Sequence, residues 1–302
     1  MARKTLAVVV PCFNEAENVG PFYDEAKAAL ERLPVDWFML FVNDASADGT
    51  LDRILALRAA DARVRVATLS RNFGYHAALI AGLSNADAEL YAIVDVDGED
   101  PPQLLEKFHA EIEKGAQTAY GIRSDRPEAA WLVFFRWLFY WINDRIADGP
   151  TRLWMAEFSM FTRAVRDAVL ANKTTFPFLR AELAYVGLRL EGVPYARRPR
   201  RAGRTHYNFA RMALFAVGGF LASSTFPLRL AFYSAAAFAL ADVLLWAGLR
   251  LTLVEAGALA SVLGFFYILL TVPMLALYLA RAYKNVTGRP VFFLDRDRSR
   301  LT

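Results

Sequence analysis

The sequence predicts an α/β fold: a mostly parallel sheet with helices on both faces, followed by a two-helix transmembrane hairpin. Three observations carry this. Short β-branched apolar runs alternate with helical stretches through the first third of the chain. Polar residues stand at the ends of those runs, where open α/β sheets bind ligands. Two long apolar stretches follow residue 228.

Residues 6–10 are a short apolar run that reads as a buried parallel strand, with Pro11 ending it. Asn14-Glu15-Ala16-Glu17-Asn18 opens a helix through position 33. Residues 37–42 form a second strand, ending at Asn43-Asp44. Ser46, Asp48 and Gly49 turn the chain into a helix over 50–60. Residues 64–69 are a third strand, 74–83 a helix, and 90–94 a fourth strand ending at Asp95. The stretch 129–147 is rich in Trp, Phe and Leu but broken by Arg136, Asn143, Asp144 and Arg145. It suits an amphipathic helix in the bilayer interface, or a core helix of the globular part.

Span-length segments cover 230–249, with one charge at Asp242, and 256–280, with none and a kink expected at Pro273. Asp242 reads as an intramembrane functional carboxylate, or as a group protonated or paired with a neighbouring helix. The link over 250–255 is too short for a domain, so both ends of the hairpin face one side. Arg229 before it and Arg281, Lys284 and Arg289 after it put that side in the cytoplasm. The expected organisation is a cytoplasmic catalytic domain over 1–206, a juxtamembrane amphipathic segment over 207–227, the spans within 228–281 and a cytoplasmic tail over 282–302. Met1–Lys4 runs directly into the first strand, so no signal peptide is expected at this N-terminus.

Composition agrees. Of the 302 residues 56% are hydrophobic, too many for an ordinary soluble enzyme, while 22% are charged, too many for a many-span transporter. Cys12 is the single cysteine, so no disulfide forms within the chain and a reducing compartment suits it. The net charge is only +4, but Arg197, Arg198, Arg200, Arg201 and Arg204 cluster. Such a cluster suits anionic lipid, a phosphate substrate or nucleic acid, and equally a solvated loop.

Asp95-Val96-Asp97 follows the fourth strand. Two carboxylates two positions apart at a strand end can reach one hard cation, Mg²⁺ or Mn²⁺. Many Asp-x-Asp pairs are plain turns; the strand before this one and Gly98-Glu99-Asp100-Pro101-Pro102 after it favour a site. Asp44 could accept the N–H of a base or bond a ribose hydroxyl. It could equally cap the helix at Thr50.

Taken together, these residues resemble the family-2 inverting glycosyltransferases, and within them the polyprenyl-phosphate type. The matching segments are Val9-Val10-Pro11-Cys12-Phe13-Asn14-Glu15, Val42-Asn43-Asp44-Ala45-Ser46-Ala47-Asp48-Gly49-Thr50, Leu69-Ser70-Arg71-Asn72-Phe73-Gly74 and Asp95-Val96-Asp97 with its Gly98–Pro102 continuation. Tyr195, Arg197, Arg200, Gly203, Thr205 and Tyr207 match a Tyr-x-Arg-x-x-Arg-x-x-Gly-x-(Ser/Thr)-x-Tyr pattern, and Gly288-Arg289-Pro290 looks like the tail of bacterial members. The resemblance covers nearly the whole chain in order. It implies a nucleotide-binding fold of GT-A type, with Pro11, Phe13, Asn14, Glu15, Asp44, Asn72, Asp95 and Val96 along the nucleotide and Asp95, Asp97 and Glu99 at the metal. Asp97, Arg123 and Glu157 would be catalytic. Arg123, Arg126, Arg180, Arg197, Arg200, Thr205, His206 and Tyr207 would take the acceptor phosphate. Where relatives read Gly-Asp-Phe-Arg-Leu, this chain has Ala156-Glu157-Phe158-Ser159-Met160, and Arg180-Ala181 stands for Arg-Gly.

The implied partners are a nucleotide-sugar, UDP favoured, a polyprenyl phosphate such as undecaprenyl phosphate, and the bilayer. A homo-oligomer and a downstream flippase are further expected partners; nucleic acid is not. A phosphate acceptor is already anionic and needs no base. A transferase with a hydroxyl acceptor would use Glu157 or Asp100 as base, and a non-catalytic scaffold would need neither. His109 reads as a surface helix residue, and His76 as a nucleotide contact or a packing residue.

Overall fold

The computed structural model describes residues 3–123, 141, 155–172, 174–175, 177–199, 224–249 and 252–302. Seven strands form one sheet in the order β3-β2-β1-β4-β6-β5-β7. They are β1 Thr5–Cys12, β2 Asp36–Asn43, β3 Val64–Thr68, β4 Leu90–Ile93, β5 Thr118–Arg123, β6 Met155–Thr162 and β7 Leu190–Tyr195. β6 alone runs antiparallel to its neighbours β4 and β5; all other pairs are parallel. The helices are α1 Ala16–Leu30, α2 Thr50–Ala60, α3 Tyr75–Asn85, α4 Leu104–Glu113, α5 Arg163–Ala171, α6 Leu179–Tyr185, α7 Phe226–Leu249 and α8 Leu253–Val286.

The two faces of the sheet are separate cores, set by the period-2 alternation of strand side chains. On β1, Leu6, Val8, Val10 and Cys12 pack with α1, α2 and α4, while Ala7 and Val9 pack with α3, α5 and α6. Pro11 does not end β1. The strand runs on to Cys12, with Pro11 opposite Val42. Residues of its parity bond toward β4, as the 3.2 Å bond from Val94 N–H to Val9 O shows, and β4 stops opposite Val9. The N–H that proline lacks would therefore have no strand to bond.

His109 is not a surface residue. It sits on the inward flank of α4 beside Leu105, Phe108 and Ile112, and burial lowers its pKa.

After the sheet, α7 and α8 form an antiparallel hairpin. Phe238 meets Tyr267 ring to ring at 5.4 Å, and Tyr267 donates to Ala231 O at 2.7 Å. Both helices are long and apolar enough to cross a membrane, and only 6% of each apolar window is buried. A core helix of a soluble protein would be mostly buried, whereas here Phe232, Leu253 and Leu279 are bare. At 34 residues α8 extends about 51 Å, well beyond a hydrocarbon core of about 30 Å. It starts three residues earlier than its apolar stretch because Thr252 and Glu255 form a capping box. It carries Pro273 within one continuous helix and ends at Val286, and Gly288 just beyond, with a φ of 60°, turns the chain. Asp242 on α7 has a buried Oδ1 with no hydrogen-bond partner among the described residues, so the expected pairing with a neighbouring helix is not seen there.

The tail then returns to the sheet. Leu294 and Arg300 bridge antiparallel to Leu69 and Val66, covering the outer edge of β3. Phe292, Leu294 and Leu301 join the α3 face of the core. The segment expected as a cytoplasmic tail over 282–302 thus docks on the domain. The interfacial stretch 129–147, Trp141 apart, and the segment 207–223 lie outside the described residues.

Candidate active site

Strand direction collects the candidate residues. β1, β2, β3 and β4 are parallel, so Asn14, Asp44, Asn72 and Asp95 all follow strand ends on one edge of the sheet. The chain goes outward from β1 to β2 and β3, then crosses to β4 on the other side, which leaves a crevice between the ends of β1 and β4. β6 enters antiparallel with Ser159 opposite Ile93, and Glu157, two residues from Ser159, lies close enough for its charge to raise the Asp95 pKa. β5 and β7 end on this edge at the pair Arg123 and Tyr195.

The acidic centre is Asp95. Tyr75, at the first turn of α3, donates to Asp95 Oδ1 at 2.8 Å. Burial first, then the charges of Asp100 and Asp97, push the Asp95 pKa up to about 7, against the pull of the Tyr75 bond. Asp97 accepts the Glu99 N–H at 3.0 Å, tightening the turn. Such crowding of carboxylates fits a cation. Among the described residues no three His, Cys, Asp or Glu side chains converge at metal-binding distance. Glu99 in particular is ion-paired with Arg197, which also commits that arginine to the loop after β4. The two aspartates and a substrate's phosphates are a familiar oxygen set for Mg²⁺ or Mn²⁺.

Facing the acids are two half-buried arginines. Arg123 donates to the Tyr195 hydroxyl at 3.2 Å and approaches Asp100 at 3.5 Å, while Tyr195 donates a short bond to Asp100. Burial alone would lower the Arg123 pKa, but Asp100 and Tyr195 outweigh it, so the guanidinium stays charged. Tyr195 can lie there because residue 121 is glycine: a Cβ on Gly121 would stand 2.5 Å from the Tyr195 ring. Arg180 donates to Glu157 at 2.7 Å, and the Glu157 charge likewise outweighs burial. Arg123 and Arg180 are close enough to oppose one another's charge.

The loops after β1 and β2 lock together. Asn14 and Ala45 have positive φ, 55° and 54°, a conformation that costs a non-glycine residue roughly 1–2 kcal/mol. The cost is offset by reciprocal bonds. Asn14 N–H donates to Ser46 Oγ at 3.0 Å, and Ala47 N–H donates to Asn14 Oδ1 at 2.9 Å. Glu15 N–H donates to Thr50 Oγ1 at 2.8 Å. Phe13 projects from this lock, 39% exposed, while Pro11 is buried at the crevice floor.

Asp44 does not cap the helix at Thr50, whose N–H goes to Asp48 at 3.0 Å. Asp44 instead accepts the N–H groups of Phe73 and Gly74 at 2.7 and 2.8 Å. Burial raises its pKa, opposed by these two bonds and by Arg71. It therefore holds the loop containing Asn72 against the end of β2. Val96 is buried under Asp95 and Asp97. His76 packs edge-on between Tyr75 and Phe178, 5.3 and 5.2 Å between ring centres.

Ser159 is fully buried, its hydroxyl on Glu157 O at 2.9 Å, so it presents no cation. A cavity of about 420 Å³ lined by Ile80, Asn172, Glu182, Asn285 and Phe292 lies apart from the crevice. Arg126, Arg200, Thr205, His206 and Tyr207 lie outside the described residues. Tyr75 is the partner that sequence reading missed; its signal was a tyrosine opening the helix directly after Phe73-Gly74.

Comparison with known proteins agrees with this edge. The family model for glycosyl transferase family 2 matches residues 7–171, the span from β1 to the end of α5. The SfII prophage-derived bactoprenol glucosyl transferase of Shigella flexneri is 30% identical over 97% of this chain and 98% of its own length. A prophage bactoprenol glucosyl transferase homolog of Escherichia coli K12 is 30% identical over 96% and 98%. An uncharacterized glycosyltransferase of Bacillus subtilis, YkcC, is 27% identical over 96% and 93%.

Proposed function

The chain belongs to glycosyl transferase family 2, and from that premise we propose that it transfers a sugar from a nucleotide-diphosphate sugar, UDP favoured, to a polyprenyl phosphate such as undecaprenyl phosphate. The observation that carries this reading is the meeting of two opposite charge sets on one edge. Asp95 and Asp97 crowd one side, and Arg123 and Arg180 stand half-buried on the other. The relatives named for bactoprenol support the lipid acceptor.

The acceptor phosphate is anionic at neutral pH and needs no proton removed. The work is to hold two anions together. Arg123 and Arg180 supply charge-assisted donors for the incoming phosphate oxygen. Asp44 orders the nucleotide side through the Phe73 and Gly74 amides. A divalent cation, Mg²⁺ or Mn²⁺, at Asp95 and Asp97 would neutralise the leaving nucleotide diphosphate. In-line displacement at the anomeric carbon, the sugar passing to the lipid phosphate oxygen as the nucleotide diphosphate leaves, inverts its configuration. A hydroxyl acceptor would require a carboxylate base, yet Glu157 and Asp100 are each committed to an arginine.

The apolar hairpin seats the domain on the bilayer, and basic Arg281, Lys284 and Arg289 favour the cytoplasmic side. That is where nucleotide-sugars and the lipid's anionic head would meet. The test is incubation of the purified chain with undecaprenyl phosphate, Mn²⁺ and a panel of nucleotide-sugars, with products read by mass spectrometry. A polyprenyl-phosphate sugar is expected from one of them; none from any would overturn the reading.

A further inference from the structure

The segment that returns from the membrane reaches the nucleotide edge of the sheet. Gly288 reverses the chain after α8, and Leu294 and Arg300 add an antiparallel partner to β3. Thr68, the last residue of β3, is bonded three times: its O accepts the Asp295 N–H at 2.8 Å, its N–H donates to Ser299 Oγ at 3.0 Å, and its hydroxyl donates to Arg298 O at 3.1 Å. One step on, Ser70 N–H donates to Phe293 O at 2.9 Å. Residues 70–74, the loop whose other side Asp44 holds, are thus fixed from two directions.

Phe293 lies at the junction. Its ring sits 6.3 Å from that of Phe73, and the Arg71 guanidinium covers the Phe73 ring at 3.9 Å. Phe293 is 56% exposed, so its ring contributes little burial to the fold. What it does contact is the ring of Phe73, which packs on the core from within the loop bearing Asn72.

We propose that Phe293, on the segment that leaves the membrane hairpin, is a positioning residue for the donor nucleotide: it buttresses Phe73 and so holds the 70–74 loop in its nucleotide-binding shape. The inference rests on the proposed function, in which Asn72 and Asp44 line the nucleotide pocket. It makes the span and its tail part of the donor site, not merely an anchor.

The experiment uses the full chain in nanodiscs, with UDP and Mn²⁺ as the binding probe and undecaprenyl phosphate as acceptor. Phe293→Ala raises the UDP dissociation constant and the donor KM by about tenfold, with kcat and acceptor KM within about twofold. Amide exchange at residues 70–74 accelerates while the rest of the sheet stays protected. Phe293→Tyr restores both, and Arg296→Ala, an exposed tail change, alters neither. Should Phe293→Ala fail to fold, Phe293→Leu keeps apolar volume and loses the ring contact, and the same readouts apply. Unchanged donor KM and exchange in a wild type that binds UDP overturn the inference alone. Donor and acceptor KM rising together, or a fall in thermal stability without a KM split, also overturn it. A wild type that binds no nucleotide, with the exchange effect still present, overturns the proposed function and the donor role with it.

Discussion

Arg180 Nε lies 2.7 Å from Glu157 Oε1, joining the start of α6 to the start of β6 at the edge where Asp95 follows β4. Glu157 is buried and this arginine is its cation. The pair decides what Glu157 can do: a carboxylate held by a guanidinium orients that guanidinium and is a poor base.

Removing the partner should therefore cost stability, and neutralising the acid should cost little rate. Arg180→Ala leaves a buried charge unpaired, a loss of about 3–5 kcal/mol, read as a lower unfolding midpoint. Glu157→Gln keeps an acceptor for Arg180 and should lower kcat with the lipid phosphate by less than about tenfold. A loss of about a thousandfold would mark Glu157 as a general base for a hydroxyl acceptor.

The Asp95 pKa of about 7 makes cation binding pH-dependent. Below that value the carboxyl carries a proton that a cation must displace, so affinity for Mn²⁺ should fall by up to about tenfold per pH unit, and above it level off. The metal-free protein behaves in the opposite sense. Its folded pKa is raised above the ordinary carboxylate value, so the native state binds the extra proton. Stability is then greatest at the acid end of this window and declines as pH rises from about 4 to 7. Titration calorimetry and chelator-treated unfolding across pH 5 to 8 check both slopes.

Gly121→Ala should injure the acceptor side. The new methyl would stand 2.5 Å from the Tyr195 ring, forcing Tyr195 off Asp100 and Arg123. An overpacked site of this kind costs about 1–3 kcal/mol. The acceptor KM should rise more than the donor KM, since Asp44 and the 70–74 loop lie beyond β1 on the opposite wing of the sheet. Steady-state kinetics with each substrate varied in turn checks this.

The parallel half of the sheet was legible because its strands are buried on both faces and read as continuous apolar runs. α2 falls on its expected 50–60 bounds. The acidic pair was legible because strand end and motif coincide. The rest depended on distant pairing. Nothing near Arg180 in sequence points to Glu157, 23 positions away, and nothing in the tail points to β3, more than 220 positions away. For Asp44 the alternative of a cap on Thr50 fails because Asp48 takes that N–H; the donors to Asp44 come from the loop after β3, which nothing beside it in sequence announces. Glu99 was read as a third oxygen ligand from the resemblance; its pairing with Arg197, which follows β7, had no signal in the sequence.

The most direct test of the central claim is the rate of polyprenyl-phosphate sugar formation by Asp97→Ala beside the wild type, each with Mn²⁺ and with EDTA. The account predicts that the variant and the chelated wild type both lose at least about a hundredfold, while the variant's unfolding midpoint stays near that of the wild type. Full-rate product from Asp97→Ala, or from wild type under EDTA, would contradict it.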